Sequence, residues 1–153
     1  MSQVLSNLPN FTDFKASTLE KNITELLDAS REKINKILDK GKYTWDELML
    51  PLEDMDVEIG KTWGIASHLH SVKNSEELRE AYNSAQPKIS EFYTELGQNE
   101  KLFQAVKELS ESEEYKNLNQ GQKKLIENSM RSFKLSGIDL QEDKRARFAE
   151  IAK

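Results

Sequence analysis

The chain has 153 residues, 37% apolar and 32% charged, with a net charge of −5 and no cysteine. That length holds one domain-sized core, the missing cysteine excludes disulfides and thiolate metal sites, and the scattered Lys and Arg leave no electrostatic footprint for nucleic acid. The longest apolar run, Leu48-Met49-Leu50-Pro51-Leu52, falls far short of the roughly 20 residues that span a bilayer. The N-terminus, Met1-Ser2-Gln3-Val4-Leu5, lacks the basic and apolar regions of a secretory signal, so the expectation is a soluble, cytoplasmic protein with no membrane partner.

Residues 1–16 read as an extended arm. Leu5, Leu8, Phe11 and Phe14 recur every third position but are broken by Pro9-Asn10. Four large apolar side chains are costly to leave wet, so the arm is expected to be pinned onto the body, residues 17–153.

The first helix is expected from Thr18 to Asp39. Ser17 and Glu20 have the spacing of a capping box, and Leu19, Ile23, Leu26, Leu27, Ile34, Ile37 and Leu38 form one stripe. Gly41 stands where a helix needs a left-handed residue after its last turn. Thr44 and Glu47 form a second capping box, opening a helix to about Val72 with the stripe Leu48, Leu52, Met55, Ile59, Trp63, Ala66 and Leu69. Pro51 lacks an N–H, and its ring meets the carbonyl of Glu47, so a kink or break falls at 47–51. Trp63 shares a stripe with Met55 and Ile59 and is expected in the core.

Asn74 or Ser75 caps a third helix whose stripe, Leu78, Tyr82, Ala85, Ile89, Phe92 and Leu96, keeps a heptad spacing. Such a seam suits antiparallel packing at a shallow angle, with a bend at Pro87. After a break at Gly97-Gln98-Asn99-Glu100, a short fourth helix carries Leu102, Phe103, Val106 and Leu109. Asn119 caps a fifth, with Leu125, Ile126, Met130 and Phe133, closed near Gly137. The last segment, Glu142 to Lys153, holds Phe148 and Ile151 and has no stop signal, which predicts truncation at the C-terminus. The fold class is all-α: five to six antiparallel amphipathic helices. An unfinished last helix further predicts an exposed apolar face or self-association.

No catalytic, cofactor-binding or metal site emerges. His68 and His70 are two residues apart, so on a helix their side chains diverge by about 200°, whereas helical ligand pairs sit three or four apart. One exposed His and one that packs or caps is the simpler expectation. Glu53, Asp54, Asp56 and Glu58 lack the alternating acids and central Gly of a calcium loop and read as a solvated acidic face. Glu108, Glu111, Glu113 and Glu114 read as an acidic loop, and Lys123-Lys124 with Arg131 and Lys134 as a solvated basic edge. No Gly-rich phosphate loop or nucleophile elbow occurs. Trp45, Trp63, Tyr82, Phe92, Tyr93, Phe103, Phe133 and Phe148 sit at or beside stripe positions and read as core.

Function enters through a resemblance. The stretch from Trp63 to Tyr82, with Ser67-His68-Leu69-His70-Ser71-Val72 and Ser75-Glu76-Glu77-Leu78-Arg79-Glu80-Ala81-Tyr82, resembles the N-terminal region of zinc metallo-oligopeptidases of the thimet oligopeptidase and oligopeptidase A family. Leu8-Pro9-Asn10-Phe11, Tyr43-Thr44-Trp45-Asp46-Glu47-Leu48, Pro51-Leu52-Glu53, Ser90-Glu91-Phe92-Tyr93, Gly97-Gln98-Asn99-Glu100, Gln122-Lys123-Lys124-Leu125-Ile126-Glu127-Asn128 and Phe133-Lys134-Leu135-Ser136-Gly137-Ile138 follow in the family's order, most like its bacterial members.

Two segments depart from the family. Lys15-Ala16-Ser17-Thr18 stands for its Lys-Pro-Glu-His, and Trp63-Gly64-Ile65 for its Trp-Ser-Pro, removing a helix-breaking proline from the second helix. The family's His-Glu-x-x-His zinc motif has no counterpart in this sequence, so no catalytic residue carries over. The resemblance implies a helical wall of a deep channel that admits short peptides, with zinc and hydrolysis supplied by a catalytic C-terminal part of the parent enzyme. The alternative is a free-standing helical module that binds proteins or peptides without catalysis.

Overall fold

The structure is a computed structural model, and it describes residues 9–73 and 75–152. Among these residues are seven α-helices, one π-helical segment and no strand. The chain is all-α, with more helices than the five or six expected.

Helix α1, Ala16–Lys40, starts before the expected cap. Its N-cap is Lys15, which makes no side-chain capping bond. Ser17 lies inside the first turn, and the Thr18 hydroxyl donates to the Lys15 carbonyl at 3.2 Å. The predicted Ser17–Glu20 box therefore does not form. Glu20 instead pairs with Lys88 at 3.1 Å. The other end follows the sequence: Gly41 takes φ 61° and donates its N–H to the Leu38 carbonyl, a conformation that costs a residue with a Cβ but not glycine.

The expected break at Pro51 takes a specific form. Trp45–Met49 is a π-helical turn, and helix α2, Leu50–Val72, follows with Pro51 in its first turn. The helical backbone is continuous into it, the Leu50 N–H donating to the Trp45 carbonyl, so Pro51 forgoes a ladder bond that a residue with an N–H would make. The wider turn ahead of it gives the ring room against the carbonyl four residues back. Thr44 caps as expected, accepting from the Glu47 N–H. Glu47 does not complete the box. Its carboxylate pairs with Lys40 at 3.0 Å, which holds it below the usual carboxylate range. Beyond Pro51 the helix runs unbroken to Val72, through Gly64.

Helix α3, Glu76–Gly97, is capped by Ser75, whose hydroxyl accepts from the Leu78 N–H. It is one continuous helix through Pro87. Asn74, the other candidate cap, lies outside the described residues, as do Leu5 and Leu8 of the arm. The described part of the arm is partly pinned. Phe14 packs on the core, while Phe11 stays 42% exposed with its ring 5.2 Å from that of His68.

The first three helices enclose one core of Leu19, Ile23, Leu27, Ile34, Met55, Ile59, Ala66, Ala85, Ile89 and Phe92. Each fully buried Leu, Ile or Phe stabilises by about 1.5–3 kcal/mol relative to exposure. Cross-links fix the directions. Asp56 meets Tyr93 and Trp63 meets Tyr82, so α2 and α3 run antiparallel. Glu20 pairs with Lys88 and Arg31 with Glu95, so α1 and α3 run parallel. The heptad seam of α3 thus serves two neighbours of opposite direction.

A second core joins Ile37, Leu48 and Met49 to α4, Glu100–Glu111, and α6, Gln120–Leu135. Between them lies α5, Glu113–Asn117, capped by Ser112. The predicted acidic loop is therefore helix, break and helix: Glu108 and Glu111 belong to α4, and Glu113 and Glu114 open α5. Asn119 caps α6 with a complete box, its side chain accepting from the Gln122 N–H and the Gln122 side chain accepting from the Asn119 N–H. Helix α7, Glu142–Ala152, packs beside α3, and its Arg145 pairs with Glu100.

Leu38, Leu52 and Leu96 touch both cores and mark the seam between them.

Candidate functional site

The two histidines are the residues with the most chemical potential, and the helix separates them as their spacing requires. His68 is exposed, against Phe11. His70 is half-buried, its ring stacked on Tyr82 at 4.2 Å. Tyr82 is itself stacked on Trp63 at 4.4 Å, so His70 extends an aromatic layer between α2 and α3. That layer is half-buried, so Trp63 lies at the core's margin rather than inside it. Among the described residues no three of His, Cys, Asp and Glu converge to hold a metal ion. The zinc implied by the resemblance needs three protein ligands and an open position, and the donor set here does not fit it.

A concavity lies at the seam of the two cores. It is a cleft of about 460 Å³ between α2, α3, α4 and α6. Leu52, Leu96, Leu125 and Phe133 supply apolar walls, and Asn128, Ser129 and Ser132 line it from α6. Glu53, Asp56 and Tyr93 also line it. The Tyr93 hydroxyl donates to the Asp56 carboxylate at 2.7 Å. Burial, then that bond, push the Tyr93 phenol up. Burial also raises the Glu53 carboxyl, and the neighbouring Asp56 adds to the effect. No hydrogen bond or ion pair reaches Glu53 among the described residues.

The run read as a solvated acidic face thus divides by helix face. Asp54 and Glu58 are exposed, whereas Glu53 is half-buried beside Leu52 and faces the cleft. Tyr93 departs from its expected core role, being 38% exposed. A signal existed in the sequence: Glu53 and Asp56 are three apart and flank the Leu52–Met55–Ile59 stripe. The Tyr93 partner could not be read, because it lies 37 residues away.

Two residues of the basic edge of α6 are tied into local contacts. Lys123 donates to the Lys116 carbonyl at 2.8 Å and lies 5.7 Å from the Tyr115 ring centre, and Lys124 pairs with Glu127. On α1, Arg31 pairs with Glu95 and Asp28 and lies over Phe92 at 5.4 Å. The bond to Glu95 raises the Arg31 guanidinium. No described helix is long and apolar enough to cross a membrane.

Comparison with known proteins gives a consistent neighbourhood. Residues 23–145 match the family described as Neurolysin/Thimet oligopeptidase, N-terminal domain. The chain is 40% identical over 146 residues to oligopeptidase A of Escherichia coli (strain K12), covering 95% of this chain and 22% of that protein. It is 40% identical over 147 residues to oligopeptidase A of Haemophilus influenzae, covering 96% of this chain and 22% of that one. A probable cytosolic oligopeptidase A of Arabidopsis thaliana is 30% identical over 145 residues, with 95% and 21% covered. The chain thus spans about a fifth of the length of the curated relatives it matches.

Proposed function

The chain belongs to the neurolysin/thimet oligopeptidase N-terminal domain family, and from that premise we propose that it is the channel-wall domain of a cytoplasmic, zinc-dependent oligopeptidase that hydrolyses short peptides. The match of residues 23–145 to an N-terminal domain, in relatives named oligopeptidase A and about five times as long, carries this reading. The physical character of the chain supports the division of labour. Helices α1 to α4 and α6 pack on two continuous cores, and its two histidines face apart. Such a wall selects by shape, through the width of the opening it borders, and needs no perturbed nucleophile or base. Zinc, its ligands and the general base would come from the catalytic part, and short peptides would be the ligands that pass along the wall.

A chimera tests the reading. This chain replaces the matching N-terminal fifth of the Escherichia coli oligopeptidase A, beside the intact enzyme and one lacking that fifth. The chimera is expected to cleave short peptides and spare folded proteins. A chimera that degrades folded protein as fast as short peptide would overturn the channel-wall role, as would unchanged size selectivity in the deletion.

A further inference from the structure

We infer that the cleft between α2, α3, α4 and α6 binds a cationic, apolar peptide segment, with a Lys or Arg side chain reaching Glu53 and large apolar neighbours lying on Leu52, Leu96, Leu125 and Phe133. The peptide as ligand rests on the channel-wall reading above, while the preference for positive charge comes from the cleft itself.

Three observations carry it. The first is size: a cleft of about 460 Å³ lies within the roughly 300–1,000 Å³ of sites that take small ligands. The second is charge. Two carboxylates, Glu53 and Asp56, line the cleft, and no Lys or Arg is among its lining residues. The third is the unequal state of those carboxylates. Asp56 already accepts from Tyr93, so that hydroxyl fixes its rotamer. Glu53 is half-buried with no partner among the described residues. A partly desolvated carboxylate beside a second acid is unfavourable until a cation arrives, and a charge-assisted bond to Lys or Arg would relieve it. The raised Glu53 carboxyl is the titration counterpart of that unmet demand. The apolar walls add what a free metal ion or simple amine would not use. An anionic ligand would meet repulsion at Glu53 and Asp56, and a purely polar one would leave Leu52, Leu96, Leu125 and Phe133 without apolar contact.

The test titrates the 153-residue chain with two labelled, end-blocked hexapeptides, Leu-Arg-Phe-Leu-Lys-Phe and its neutral counterpart with Gln at both basic positions, and reads fluorescence anisotropy. The cationic peptide should bind about tenfold more tightly, the size of one charge-assisted bond. Glu53→Gln should remove that preference. Removing one charge from the exposed Glu25 by Glu25→Gln should leave it, which separates the site from the chain's overall negative charge. Ser132→Trp, at an exposed position lining the cleft, should weaken both peptides by occupying the cleft. Thermal melts of each variant confirm folding. Equal binding of the two peptides, no binding of either, or undiminished binding by Ser132→Trp would overturn the inference. Those failures would leave the channel-wall reading to the chimera, and a failed chimera would leave the measured charge preference standing.

Discussion

The backbone N–H of Trp45 donates to the carboxylate of Glu114 at 2.9 Å, across 69 residues of sequence. One end of this bond opens the π-helical turn and the other belongs to α5. It supplies an acceptor to an otherwise orphan donor at the start of a helical segment, where negative charge is also favoured. Glu114→Ala should cost about 1–2 kcal/mol in chemical denaturation. Glu113→Ala, which removes only an exposed pair with Lys116, should cost less than about 0.5 kcal/mol. Equal effects would mean that the long-range bond contributes nothing.

Phe92 and Trp63 should separate by burial. Phe92 is enclosed by the first core, whereas Trp63 lies half-buried in the layer with Tyr82 and His70. Phe92→Ala should cost about 3–5 kcal/mol and Trp63→Ala roughly half of that. A larger loss at Trp63 would show that the aromatic layer, rather than the enclosed core, dominates stability.

Gly97 ends α3 where α6 closes. A Cβ placed there would lie 2.6 Å from the Ser136 Cβ, closer than two carbons can approach without movement. Gly97→Ala should lower the melting temperature, and Ser136→Gly in the same chain should recover most of the loss. Additive losses in the double variant would place the strain elsewhere.

Glu53→Gln should stabilise the chain at neutral pH. The folded-state carboxyl titrates above its unfolded value, so folding favours the protonated form. That stability is present below the unfolded pKa, about 4.3, and is lost as pH rises through the folded value. The glutamine variant stays neutral. Its melting temperature should exceed the wild type's at pH 7, and the difference should shrink toward pH 4. A pH-independent difference would mean that the Glu53 charge is not the cause.

The architecture was legible where a period ran long enough. The stripe Leu19–Ile37 repeats over about five turns and Leu102–Leu109 over about two, and the structure buries most of their members. Five-residue α5 holds no period, so only its Ser112 cap marks it. Pro51 announced a disturbance without giving its form; the π-helical turn that forms carries Leu48 and Met49 into the second core. Ser17 misled because helix starts are set by where the chain first packs, and Leu19 could be buried with the helix already under way at Ala16. The cleft was least legible, since Glu53 and Asp56 acquire their setting from Tyr93 and from α6, far along the chain.

We propose above that this chain is a catalytically empty wall for a zinc enzyme. It is tested most directly by a quenched-fluorescent peptide assay on the purified chain, with and without chelator, alongside its zinc content. No cleavage, substoichiometric zinc and an unchanged melt in chelator are expected. One equivalent of zinc together with chelator-sensitive cleavage would contradict it and turn attention to His68 and His70.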